Sequence, residues 1–290
     1  MADSGLTFTG ERFLPECERE IWYEHYHRYA MALHWVKDKQ VLDVACGEGY
    51  GSHLLATEAA SVLGVDVSAA AVEHAQRTYP HERLKFVEGN ALQLPVADDS
   101  MDVVVSFETL EHLAEHEQLL AEFKRVLKVD GVLLISTPDK KEYSDKTGFN
   151  NEYHVKELYA DEFANLLADF FDHTLWYGQK LMFSSNLWQL QQAPKTMQHD
   201  CMGTDERLAD QPLFNPVYYV VVASQQPINP NQHPHMFSFT EQAEQVYGHY
   251  NAVIRAHIKA EQDCLQLQAK QQKWLDHPII GRCIKWFGKE

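Results

Sequence analysis

Five short apolar runs alternate with stretches patterned for amphipathic helices: QVLDVA at 40–45, SVLGVDV at 61–67, LKFVEG at 84–89, MDVVVSF at 101–107 and VLLIST at 132–137. Strands that are apolar at nearly every position are covered on both faces, and strands that alternate with helices join into a parallel sheet. The intervening helices are read at GEGYGSHLLATEA, at AAAVEHAQRTY behind Ser68 as N-cap, and at HEQLLAEFKRVLK, with Gly131 expected to end the last. A further helix is expected over 156–170, and HTLWYG and VYYVVVAS (217–224) read as closing strands around a polar insert near 184–213. The expected fold class is α/β, a doubly wound, mostly parallel sheet.

Three regions follow from the patterning: an N-terminal arm and helical cap over 1–39, the sheet domain over 40–226, and a C-terminal helical extension over 227–290. Within the first, 1–15 reads as an irregular arm, and 21–36 sets Trp22, Tyr26, Tyr29, Ala30 and Leu33 on one helical stripe. Within the last, NPNQHPH reads as a linker. The stretch 240–275 then carries Val246, Tyr250, Val253, Ile254, His257, Ile258 and Leu265 at helical spacing. Such a helix would reach about 50 Å. Its apolar face is expected to pack on the domain or on a second copy, making a homo-oligomer. The basic, apolar tail HPIIGRCIKWFGKE either docks on the protein or touches a membrane surface.

With 290 residues and a formal charge of −17, the chain lacks the local excess of Lys and Arg that phosphate binding needs, so nucleic acid is not expected as a partner. Cysteines stand at 17, 46, 201, 264 and 283 with no CxxC pair, which suggests neither a structural zinc site nor a disulfide framework. The first residues lack the pattern of a secretory signal, and no apolar run reaches about 18 residues. The expected location is cytoplasmic, at the inner membrane face if the tail touches lipid.

The most specific segment is VLDVACGEGYG at 41–51. A buried strand delivers Asp43, and Gly47, Gly49 and Gly51 turn the chain into a helix whose first N–H groups are available. The GxGxG spacing, with an acid four residues before the first glycine, departs from the nicotinamide fingerprint GxGxxG. An acid at this turn suits a cationic ligand. Asp66 ends the second strand, where a carboxylate can accept two ribose hydroxyls. EGNALQLP can set Asn90 and the backbone of Ala91 against an adenine edge.

Together VLDVACGEGYG, VLGVDVS, EGNALQLP, SMDVVVSFETLEHL and LKVDGVLLISTP resemble the class I S-adenosylmethionine-dependent methyltransferases of the type 11 subset, over about residues 40–138. The resemblance implies a Rossmann-like, seven-stranded sheet with a reversed final strand, and S-adenosyl-L-methionine as cofactor. Carried over, it places Asp43, Cys46, Gly47 and Gly49 at the methionine end, Asp66 and Val67 at the ribose, Asn90 and Ala91 at the adenine, and Ser106 beside the cofactor. Asn90 stands where the family commonly has aspartate. A looser resemblance of FTGERFLPE, EHYHRYA and GFNNEYHVKELY to methyltransferases of bacterial surface-polysaccharide assembly implies a sugar or glycan hydroxyl as acceptor.

In ETLEH, after the fourth strand, Glu108, Glu111 and His112 can converge if a helical turn follows Phe107, and NEYHVKELY supplies His154. The set is similar to that of metal-dependent small-RNA 2′-O-methyltransferases, which implies one divalent ion (Mg, Mn, Fe or Zn) held by Glu108, Glu111, His112 and His154. Two other readings stand beside it: a metal-free site with His112 or His154 as base and Glu108 assisting, or structural roles for all four. Arg12 is a candidate to pair with the cofactor carboxylate or an acidic neighbour, Tyr26 or His27 to cap the pocket, and Tyr143, Asn151 and Tyr153 to contact a sugar. The expected function is O-methylation of a sugar or glycan intermediate. The alternatives are methylation of a phenolic or lipid-soluble metabolite, and a non-catalytic assembly partner of the same fold.

Overall fold

The computed structural model describes residues 20–187, 189–190 and 198–279; the arm with Arg12, and the tail from 280 on, lie outside the described residues. The elements begin with α1 (Glu20–Val36), β1 (Gln40–Val44), α2 (Tyr50–Leu55), β2 (Ser61–Asp66), α3 (Ala69–Thr78), β3 (Leu84–Glu88) and β4 (Met101–Phe107). They continue with α4 (His116–Val126), β5 (Leu127–Pro138), α5 (Ala160–Ala168), β6 (His173–Gln179), the short pair β7 (Cys201–Met202) and β8 (Leu208–Ala209), β9 (Tyr218–Ser224) and α6 (Gln245–Asp276).

Seven strands form one sheet in the order β3-β2-β1-β4-β5-β9-β6. β1 to β5 pair in parallel, while β9 runs antiparallel to both β5 and β6. The doubly wound sheet and its reversed strand are therefore as expected. Because side chains alternate along a strand, each apolar run feeds two cores. Val41, Val103, Val105, Leu134 and Val222 pack on one face, and Leu42, Val104, Leu133, Ile135 and Val221 on the other. Fully burying each such side chain stabilises by roughly 1.5–3 kcal/mol.

α1 covers the first face beside α2, and Tyr29 rather than the whole predicted stripe is its deep anchor. Gly51 is required by that contact, since a Cβ there would lie 2.1 Å from Cζ of Tyr29.

Three expectations are corrected. Helix α4 stops at Val126, and Gly131 lies inside β5, where the pairing with β4 shifts register between Met101 and Val103. A glycine marks this irregularity because a Cβ would meet Leu127 and the Asp102 carbonyl. The helix read over 156–170 begins only at Ala160, because the Val155 and Lys156 N–H groups donate to the Glu111 carbonyl at 2.8 and 3.0 Å. Finally, the chain divides after Phe239 and not at 227. His233 stacks on Trp35 with ring centroids 3.9 Å apart, and Ile228 and Phe237 pack on the first core, so the linker segment belongs with the sheet.

Taken by itself, α6 is a 32-residue helix in which Val246 is buried and Tyr247, Val253, Ile254, Ile258, Leu265, Leu267 and Trp274 are exposed. Positions 246, 250, 253, 257, 260, 264, 267, 271 and 274 keep the alternating four-and-three spacing of a coiled-coil seam. Among the described residues, no helix is long and apolar enough to cross a membrane.

The α1–α2 contact makes a stability prediction. Gly51→Ala should cost about 1–3 kcal/mol in urea unfolding. Gly248→Ala, where an added Cβ meets nothing within 4 Å in α6, should cost nothing and gain up to about 1 kcal/mol. An unchanged midpoint for Gly51→Ala would show that the helices are not in tight contact.

Candidate active site

All five parallel strands end on one edge, and the chain's winding reverses between β1 and β4. Ligands bind beyond the carboxyl ends at such a point. The residues just past these two strands, Ala45 and Glu108, both take left-handed backbone conformations, with φ of 58° and 52°. Such conformations cost about 1–3 kcal/mol each in non-glycine residues and are held by their surroundings.

On the β1 side the holding is done by carboxylates. Asp66 accepts the Gly47 N–H at 2.8 Å and the Ser68 N–H at 2.9 Å, joining the turns after β1 and β2. Asp43 is fully buried and accepts from Ser52 Oγ at 2.6 Å and from the Tyr29 hydroxyl at 3.2 Å. Burial pushes its carboxyl up to about 7, against the pull of those two donors. Glu48, between the two left-handed glycines, turns inward and accepts from Tyr79 Oη at 2.7 Å, with His74 Nε2 at 2.9 Å.

Around this turn Cys46 is buried and Val67 is exposed. Asn90 accepts the Leu92 N–H through Oδ1 at 2.9 Å, which fixes the amide and makes its NH₂ the end with bonds to give. The Ser106 hydroxyl is buried without a hydrogen-bond partner among the described residues.

On the β4 side, Glu108 is turned toward β5 and α1. Its N–H donates to Ser136 Oγ at 3.1 Å, Ser136 donates back to Oε1 at 2.6 Å, and Arg28 Nη1 lies 3.7 Å from the same oxygen. Arg28 is itself buried, donates to Gln179 Oε1 at 2.7 Å and covers the Tyr218 ring at 5.0 Å.

The turn Leu110–His112 that follows is a single 3-10 turn. It buries Glu111, whose Oε2 accepts from Thr137 Oγ1 at 3.3 Å. Burial, reinforced by Glu108, holds the Glu111 carboxyl well above the usual carboxylate range. His112 Nδ1 stands 3.0 Å from the Tyr153 carbonyl, which can only accept. The proton is therefore on Nδ1, and Nε2 is the basic nitrogen.

His154 is fixed in the same sense. Asn151 Oδ1 accepts the Tyr153 N–H at 3.1 Å, so its amide nitrogen is the group 2.9 Å from His154 Nε2. His154 Nδ1 donates to Glu157 Oε1 at 2.5 Å.

One donor atom from each of Glu111, His112 and His154 lies within 4.8 Å of the other two. Glu108 is outside this trio, which corrects the four-residue set: its left-handed backbone and the Ser136 bond direct it to Arg28 instead. Tyr26 and His27 pack against Tyr50 and Phe239. Tyr143 stacks on His154 with ring centroids 5.4 Å apart. Sequence reasoning missed Arg28, Glu48, Ser136, Glu157, Gln179 and Tyr218. Arg28 was detectable as a charge on an otherwise aromatic stripe, and Glu157 as the acid three residues beyond His154.

Residues 42–135 match a family model described as a methyltransferase domain. A Mycobacterium tuberculosis protein named "Probable S-adenosylmethionine-dependent methyltransferase" is 38% identical over 167 residues, 57% of this chain and 60% of that one. The phthiotriol/phenolphthiotriol dimycocerosates methyltransferase 1 of Mycobacterium ulcerans is 40% identical over 111 residues, covering 38% of this chain and 41% of that one. The chain thus spans less than two thirds of the length of these relatives. Among solved structures, a Thermotoga maritima SAM-dependent methyltransferase aligns at TM-score 0.51 and 16% identity over 70% of this chain and 90% of that one. A chain of the complex between the Haloferax volcanii Trm112 methyltransferase activator and a methyltransferase aligns at 0.52 and 19%, over 75% and 91%. These two likenesses show the fold.

Asp43 gives a pH prediction. Its folded pKa of about 7 lies above the ordinary 3.8, so its stability contribution is complete below pH 4 and lost as pH rises through 7. The loss is on the order of 4 kcal/mol. Glu111 acts in the same direction. Asp43→Asn should therefore lose less unfolding free energy between pH 5 and pH 8 than the wild type does. Equal losses in urea titrations would show that Asp43 is not the titrating group.

Proposed function

We propose that the class I S-adenosylmethionine-dependent methyltransferase domain of this chain methylates a hydroxyl of a sugar or glycan intermediate. The observation that carries the reading is the pair of imidazoles with assigned tautomers, His112 and His154, just beyond the edge that holds the glycine turn. The polysaccharide setting rests on the segments FTGERFLPE, EHYHRYA and GFNNEYHVKELY.

The donor set suits the cofactor. Asp66 offers a carboxylate to the ribose beside exposed Val67, the Asn90 amide NH₂ and Ala91 face the adenine, and the orphaned Ser106 hydroxyl can bond the ligand. Asp43, Cys46, Gly47 and Gly49 bound the methionine end, Asp43 by fixing the turn from beneath. When bound, S-adenosyl-L-methionine supplies an activated methyl carbon, which leaves the chain to align the acceptor and remove its proton. His112 Nε2 is the assigned proton acceptor. Glu111, its carboxyl held well above the usual range by burial, stands with Oε1 4.0 Å from that nitrogen. Glu157 sets His154 in the matching tautomer. Arg28 and Ser136 hold the Glu108 carboxylate away from the imidazoles.

A metal-assisted variant is favoured by one observation, the trio Glu111, His112 and His154. Both imidazoles are oriented through Nδ1 by an oxygen acceptor, as metal-bound histidines are. Two imidazoles and a carboxylate suit Fe²⁺, Zn²⁺ or Mn²⁺ better than Mg²⁺. The α6 seam is assigned to a second copy of the chain.

By calorimetry the wild type should bind S-adenosyl-L-methionine, and Asp66→Ala should weaken binding at least tenfold; absence of wild-type binding would end the cofactor assignment. His112→Gln should lower kcat by about 10²–10⁴ with cofactor affinity unchanged. Activity lost to a chelator and restored by Mn²⁺, Fe²⁺ or Zn²⁺ would select the metal variant, and activity indifferent to chelation the plain base.

A further inference from the structure

We propose that the acceptor carries a hydrocarbon chain, and that the two loops leaving the carboxyl edge after β5 and β6 hold this chain beside the reacting hydroxyl. The inference rests on the methyltransferase reading and names the class of its acceptor. Among the described residues up to Phe239, thirteen large hydrophobic side chains are exposed, and nine lie in the β5–α5 connection (139–159) or the β6–β9 connection (180–217). Those connections make up only about a quarter of the described residues of this unit. Exposed apolar groups scattered singly are ordinary, but a concentration on one edge marks a binding surface.

The placement says what binds. Phe183, Leu187 and Leu190 are 74%, 99% and 83% exposed in the loop after β6, and Phe149 is 54% exposed in the loop after β5. Phe149 contacts Tyr143 with ring centroids 5.8 Å apart, and Tyr143 stacks on His154. Aromatic surface therefore runs from the exposed rim to His154, whose ring meets that of His112, the assigned base, edge-on at 5.1 Å. A ligand lying along it presents an apolar body to the rim and a polar end to the imidazoles.

Charge argues against an anionic surface as the occupant. The chain carries −17 overall. Four cations of these loops are engaged locally: Lys146 with Glu142, Arg207 with Asp205, Lys180 with the Asn215 carbonyl and Lys140 over the Tyr159 ring. What Phe149, Phe183, Leu187 and Leu190 offer is uncharged and apolar, the complement of an alkyl chain.

The test uses alkyl glucosides of increasing chain length, kept below their micelle concentrations, titrated by calorimetry into the full chain. Affinity should rise about fourfold per added methylene. The double variant Phe183→Ser, Leu187→Ser should lose at least tenfold of it. Val129→Ser, an exposed apolar side chain near the opposite end of β5, should keep it. Cofactor binding should be equal in all three proteins, which reports that the variants are folded. Affinity indifferent to chain length, or equal losses in Val129→Ser, would overturn the proposal. Binding to neutral phosphatidylcholine vesicles without binding of monomeric glucosides would overturn it in favour of a bilayer surface. A double variant that changes only self-association in light scattering would overturn it in favour of a second copy. Absence of cofactor binding with chain-length dependence intact would instead strike the methyltransferase reading.

Discussion

One carboxylate closes two turns. Asp66, at the end of β2, accepts backbone N–H groups from Gly47 and from Ser68, so the loop after β1 and the start of α3 share an anchor. The geometry of the glycine turn depends on this bond more than on the glycines themselves, which permit the conformation without selecting it. Asp43 and Glu48 complete the arrangement from below, each buried and each answered by a hydroxyl. Three acids within one cofactor-sized region would repel if all were exposed and ionised. Here the hydrogen bonds to each are separate, and burial keeps Asp43 largely protonated at the acid side of neutrality.

The second half of the edge follows the same rule with a different outcome. Glu108 and Glu111 are three residues apart, and their environments are opposite. The first meets a guanidinium, and the second meets a threonine hydroxyl in a dry pocket. Burial holds the Glu111 carboxyl well above the usual carboxylate range, while Glu108 is paired with Arg28 and Ser136. The left-handed backbone at Glu108 produces this split by reversing the side chain's direction between the two positions.

The fold was legible because its signal is local and repeated. Each apolar run of β1 to β5 is a strand, and each interval holds a helix or a turn, α2 behind Gly49 and α3 behind the Ser68 cap. The exceptions come from long-range contacts. Gly131 resembles a helix stop until the register shift of β5 against β4 claims it. The 227–239 stretch has the composition of a linker, but His233 finds Trp35 across the chain. In the site, the cofactor turn and the acid–histidine group were legible as residue types. Arg28, Gln179 and Tyr218 were not, since they come from three elements far apart in sequence and meet only when the sheet is closed. The departure of Glu108 from the acid–histidine trio was likewise invisible, because it depends on one backbone angle.

The proton on His112 has a consequence for timing. Its Nδ1 partner is the main-chain carbonyl of Tyr153, within the same β5–α5 connection that carries Phe149 and stacks Tyr143 on His154. A base whose tautomer is imposed by a loop is competent only while that loop is seated. On the proposed reading, the segment that meets an incoming molecule is thus the one that also sets which nitrogen of His112 can take its proton.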